Sequence, residues 1–189
     1  DPLAQPEEVA RAFDDLHAAG KVRWFGVSNH TAAQIRLLQT CVEQPLVANQ
    51  VQLSLAHHPL INDGVVFNQN DADARAGDQG TLEFCRTAGI TIQAWGALAG
   101  GRVSGGPISP PNARLEATAA VVAELAAARD VGPEAIVIAW LLRPPAQIPP
   151  IIGTPNPARI AGACQADEVT LTREAWYRLF ETARGEPVP

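Results

Sequence analysis

Five glycines, Gly96, Gly100, Gly101, Gly105 and Gly106, fall between Gly96 and Asn112 together with three prolines, directly behind the apolar run Ile90-Thr91-Ile92-Gln93-Ala94-Trp95. Glycine puts no side chain between backbone N–H groups and a ligand, and loops at the C-terminal ends of strands commonly hold ligands. This stretch is the first candidate for binding, although a plain flexible loop fits the same composition. His57 and His58 are adjacent, but two imidazoles without a third ligand at suitable spacing make a poor metal site. A polar loop pair near a substrate mouth is the plainer reading. The serines lack a GxSxG elbow, and the acids fall mostly on helix faces where solvated charge explains them. Cys41, Cys85 and Cys164 lie far apart without a CxxC, and read as reduced structural thiols.

The elements that would carry these residues follow from periodicity and stop signals. Val9, Phe13 and Leu16 share one face of a helix that opens near Pro6 and stops at Gly20. A β-rich run, Val22 to Val27, follows and ends at Ser28-Asn29. Thr31 can cap a helix over 32–39, and Leu46 to Val51 reads as a second strand. A loop with a possible partial helix spans Pro59 to Gly80, before a helix at Leu82 to Ala88 and a third strand at Ile90 to Trp95. Helices are expected over Leu115 to Arg129 and Glu134 to Leu142, with a fourth strand at Pro149 to Ile152. Asn156 or Pro157 opens a helix to about Gln165, and Thr172 caps a last one to Arg184.

Alternating strands and helices imply βαβ units on a parallel sheet, an α/β fold. No GxGxxG follows any strand, which disfavours a Rossmann domain. A partial (β/α)8 TIM barrel of about four parallel strands with flanking helices fits better, as one domain over residues 1–189. Four parallel strands would leave two open edges. Val27, Val47, Val51 and Ile92 are expected on an uncovered apolar face, which predicts self-association or binding to a complementary N-terminal half.

At 47% hydrophobic and 18% charged residues, the composition is that of a globular chain. A net charge of -6 without a basic run argues against a nucleic-acid partner. No apolar run approaches the ~20 residues of a membrane helix, so the expected location is cytoplasmic. Position 1 is Asp rather than Met, and the expectation is a start inside a longer gene product.

Four islands in order give the sequence a family likeness: Gly20-Lys21-Val22-Arg23-Trp24-Phe25-Gly26-Val27-Ser28-Asn29, Asn49-Gln50-Val51, Ala94-Trp95-Gly96-Ala97-Leu98-Ala99-Gly100-Gly101, and Pro150-Ile151-Ile152-Gly153-Thr154 with Arg159-Ile160. Together they resemble the aldo-keto reductase family over nearly the whole chain, covering barrel strands five to eight. The resemblance implies an oxidoreductase that reduces aldehydes or ketones with NADPH. It implies that Ser28, Asn29 and Gln50 hold the nicotinamide carboxamide and that Trp95 stacks on the ring. Gly96, Leu98, Gly100, Gly101 and Arg102 match the loop over the pyrophosphate. Gly153, Thr154, Asn156 and Arg159 match the binding site of the adenosine 2'-phosphate, which favours NADP(H). The chain departs from the family at Gly153, where a basic residue is common, and at Gly162-Ala163, where a Glu-Asn pair is common.

The family's acid-base Tyr, its Lys, its Asp and its His find no match. The chain holds one tyrosine, Tyr177, in the expected last helix, and one lysine, Lys21, before a strand. No catalytic residue is therefore expected here, and a chain acting alone is expected to be inactive. The alternative is a non-catalytic nicotinamide-binding pseudoenzyme or an assembly module.

Overall fold

A computed structural model of the chain describes residues 3–67, 69 and 80–189. Helix α1, Pro6–Ala18, starts with Pro6 in its first turn beside Glu7 and Glu8, whose carboxylates match the helix dipole. Strand β1, Phe25–Ser28, follows, then α2, Ala32–Gln39. Thr31 and Gln34 close α2 with reciprocal side-chain to backbone bonds, a capping box. Strand β2 is Leu46–Gln52, α3 Pro59–Val66, α4 Thr81–Ala88 and β3 Thr91–Trp95. Four more helices complete the chain: α5 Ala113–Ala127, α6 Pro133–Leu142, α7 Pro157–Cys164 and α8 Arg173–Arg184. The sequence expectation for the Pro59 to Gly80 loop is met by α3 at its start, while residues 68 and 70–79 lie outside the described residues.

The sheet is parallel with order β1-β2-β3. The expected fourth strand is present only as one parallel bridge, Ala94 to Pro150, flanked by Ala94 N–H to Pro149 O at 2.9 Å and Ile151 N–H to Ala94 O at 2.8 Å. Pro149 and Pro150 have no N–H to extend a ladder, so pairing stops after a single repeat. Gly26 lets β1 and β2 approach closely, because a Cβ there would lie 2.8 Å from the Ala48 carbonyl oxygen.

The register fixes which side chains share a face. Ser28, Gln50 and Gln93 are paired neighbours across the three strands, as are Val27, Asn49 and Ile92 on the opposite face. Val51 and Ile92, at 9% and 3% exposure, are buried in the core, Val27 packs against it, and Val47 is half-buried. The expected uncovered apolar face is therefore corrected. The open face carries Ser28, Gln50, Gln52, Thr91 and Gln93, whose polar ends tolerate water, and the helices cover the aliphatic one.

Helix α6 is buried from Ala135 through Leu141, since it packs against both α5 and α7. Trp140 stacks on Trp176 of α8 with centroids 5.4 Å apart, and the Trp176 indole N–H donates to the Trp140 carbonyl at 2.9 Å. Arg178 and Glu124 form an exposed two-pronged pair between α8 and α5. His58, just before α3, sits edge-on to Phe180 at 5.4 Å, with Nδ1 3.2 Å from the Leu55 carbonyl.

Burial lowers the His58 pKa from the ordinary histidine value, and although the Leu55 carbonyl opposes this, Arg114, Arg184 and His57 reinforce it. A depressed histidine stabilises the fold fully above its unfolded pKa of about 6.5, and that stability is lost as pH falls through the lower folded value. The thermal midpoint is expected to fall between about pH 7 and pH 5, less steeply in His58→Gln, as scanning calorimetry across that range would record.

Candidate functional site

At the C-terminal ends of the strands one asparagine side chain joins all three. Asn29 follows β1 in the left-handed region, φ 54°, a conformation asparagine tolerates better than most residues. Its Nδ2 donates to Ser28 Oγ at 3.0 Å, and its Oδ1 accepts from the Gln52 N–H at 3.3 Å and from the Trp95 indole N–H at 3.1 Å. Ser28 Oγ in turn donates to the Gln50 carbonyl at 2.9 Å, and Gln50 Nε2 donates to Gln93 Oε1 at 3.2 Å. Ser28, Asn29, Gln50 and Trp95, singled out in the sequence, thus lie in one hydrogen-bonded patch.

Asn49 holds the patch from beneath. It is fully buried, donates to the His30 carbonyl at 2.8 Å and accepts from the His30 N–H at 3.3 Å, which ties the loop after β1 to β2. Gln93 and Gln52 also belong to the network, and their signal in the sequence was the alternation of β2 and β3.

Gly96, φ 66°, turns the chain from Trp95 into the glycine loop. A cleft of about 680 Å³ lies between this loop and the segment before α7. It brings Gly96, Leu98, Gly100 and Gly101 together with Gly153, Thr154 and Arg159. Ala99, Gly100 and Gly101 take three successive positive φ values, and a Cβ at Gly106 would meet the Gly101 carbonyl oxygen at 2.9 Å, so the loop's path requires its glycines. Gly101, Ser104 and Gly106 direct their N–H groups to carbonyls within the loop.

Two expected residues are placed differently from the rest. Arg102 is exposed and folds back, its Nε donating to the Ala99 carbonyl at 2.9 Å, and it does not line the cleft. Asn156 caps α7, accepting from the Ala158 and Arg159 N–H groups at 2.9 and 3.4 Å. Those two amides are thus satisfied internally. Arg159 makes no side-chain hydrogen bond or ion pair among the described residues and lines the cleft.

Glu134, in the first turn of α6, reaches the cleft from a separate helix, a meeting that no local pattern in the sequence announces. Its carboxylate lies over the bare α-carbons of Gly132 and Gly162, 3.2 and 3.1 Å from where a Cβ would stand. It occupies space that a side chain at position 162 would fill.

Tyr177 lies on α8 against Trp176, and Lys21 precedes β1, so both are remote from the strand ends that carry the patch. His57 pairs with Ser54 in an isolated bridge, and no group of three or more His, Cys, Asp or Glu among the described residues could hold a metal ion. No helix among the described residues is long and apolar enough to cross a membrane.

The model of the aldo/keto reductase family matches residues 1–183, and the chain belongs to that family. It is 39% identical over its whole length to oxidoreductase YdhF of Escherichia coli and 37% identical to a 6-dehydroglucose reductase of Novosphingobium aromaticivorans, covering 56% of each. The chain thus spans a little over half the length of these relatives. Among solved structures, a glycerol dehydrogenase from Gluconobacter oxydans superposes with a TM-score of 0.77 at 21% identity, covering all of this chain and 57% of the other. A thermostable aldo-keto reductase solved with the inhibitor epalrestat gives 0.72 at 23%, covering 96% and 56%. These likenesses extend the parallel α/β fold to known members of the family.

Replacing Asn29 removes three side-chain bonds and leaves a residue without a polar side chain at positive φ. Asn29→Ala is expected to cost roughly 1–3 kcal/mol in denaturant unfolding. Asn29→Gly should recover the backbone part of the loss. In both variants the Trp95 indole N–H should exchange faster with solvent, read from its proton resonance.

Proposed function

We propose that the strand-end patch and the glycine-loop cleft form the nicotinamide dinucleotide site of an oxidoreductase that reduces aldehydes or ketones with NADPH. This chain would supply the C-terminal half of the (β/α)8 barrel and most of the cofactor contacts. The observation that carries the reading is the adjacency of the two parts: a polar network ending at Trp95 continues through Gly96 into a cleft holding an unpaired guanidinium.

The residues fit the group. Among the described residues Gln50 Oε1 has no hydrogen-bond partner, and Gln50 Nε2 and Asn29 Nδ2 each keep a second hydrogen after their internal bonds. A carboxamide needs one acceptor and one donor, and this patch offers both. Cβ atoms placed at Gly100 and Gly153 meet nothing within 4 Å, so the cleft is open where a pyrophosphate and ribose would run. Arg159 can pair two N–H groups with phosphate oxygens, and Thr154 adds a half-buried hydroxyl.

When bound, the cofactor supplies the hydride. What this chain's residues do is orient it: Asn29 fixes the Trp95 indole through its N–H so that the ring can lie against the nicotinamide, and Ser28 holds the end of β1 to Gln50. No residue here is assigned to proton transfer, because neither Tyr177 nor Lys21 approaches the patch. Relatives named as reductases support the reaction class. The absent acid-base group favours a second reading for a chain acting alone, a nicotinamide-binding module without turnover.

Calorimetry would test the assignment. NADP+ is expected to bind more tightly than NAD+, and Arg159→Ala should weaken NADP+ by roughly tenfold or more while leaving NAD+ nearly unchanged. Equal affinities unaffected by that substitution would contradict the phosphate assignment.

A further inference from the structure

On the outer layer, away from the cofactor cleft, a groove of about 300 Å³ opens between α3, α4, α8 and the segment that follows α6. Ile61 and Leu82 form its aliphatic side, and Trp176 and Tyr177 its aromatic side. The two rings meet edge to face, 5.0 Å between centroids at 83°, and Trp176 is held by its stack on Trp140 and its bond to the Trp140 carbonyl. That wall is formed before any ligand arrives. Its charged lining is cationic only, Arg143 and Arg173, in a chain whose net charge is -6.

Neither guanidinium is neutralised by an ion pair among the described residues. Arg143 is anchored through Nε to the Leu171 carbonyl at 3.0 Å, which leaves both of its Nη groups without an acceptor among the described residues. Among the described residues Arg173 makes no side-chain hydrogen bond, and its charge acts only through space on the neighbouring, exposed Glu174 carboxylate.

From this lining we infer that the groove is a second ligand site, for a small aromatic carboxylate. A planar ring would pack on Trp176 and Tyr177 while its carboxylate takes N–H groups from Arg143 and Arg173. An apolar ligand would leave both cations unmatched, and a simple inorganic anion would leave the aromatic wall wet. The inference does not depend on the cofactor reading, since the cleft at Arg159 is a separate cavity.

Titration calorimetry of the 189-residue chain with 1-naphthoate tests it. One molecule is expected to bind per chain, and the uncharged naphthalene-1-carboxamide should bind roughly fivefold more weakly, a modest factor because both arginines are solvent-exposed. Arg173→Ala, which removes no bond of the fold, should weaken the acid by a similar factor, and Arg159→Ala should leave it unchanged. Absence of saturation into the millimolar range, equal affinity for acid and amide, or insensitivity to Arg173→Ala would overturn the proposal. Loss of binding in Arg159→Ala would do so too, by putting the probe in the cofactor cleft.

Discussion

Parallel pairing whose register is constant from Gly26 onward, after one shift between Phe25 and Gly26, is the constraint on which the rest of the molecule depends. Because Ser28 pairs with Gln50 and Gln50 with Gln93, three polar side chains end up in one row on the open face. The same register places Asn49 beneath the end of β1, where only a fully bonded amide can be buried without penalty. Slipping a strand by one residue would bury Gln50 and expose Val51 and Ile92. The aliphatic helix-facing side resists that slip, so the core also specifies the site.

The helices act on the site at one remove. α6 is buried between α5 and α7, so the position of Arg159 follows from how α7 docks on α6. Trp140, Trp176 and Phe180 lock α8 onto that layer. The glycine loop has no such support and is shaped by its own backbone: three positive φ angles in succession and hydrogen bonds that close on Gly101.

Much of this was legible in the sequence because it rests on local chemistry. Thr31 and Thr172 cap the helices they were expected to cap, and Pro133 opens α6 after Gly132. β1 and β3 end at Ser28 and Trp95, as their apolar runs imply, while β2 continues past Gln50 to Gln52. Alternation alone groups Val27, Val47, Val51 and Ile92 on one face, but which side the helices cover depends on packing between distant segments, and they cover this one. The apolar run Pro149 to Ile152 has strand composition, but its two adjacent prolines limit it to a single bridge. Glu134 and the groove at Trp176 were invisible for a different reason. Each is assembled from helices distant in sequence, and no local period encodes that meeting.

The central claim is that the strand ends and the glycine loop form one continuous dinucleotide site. The most direct measurement is the change in backbone amide resonances of the isotope-labelled chain on titration with NADP+. The largest shifts are expected as one connected set at Ser28 to His30, Gln50 to Gln52, Trp95 to Gly101 and Gly153 to Arg159. Shifts confined to the glycine loop without the strand ends, or centred on α8, would contradict it.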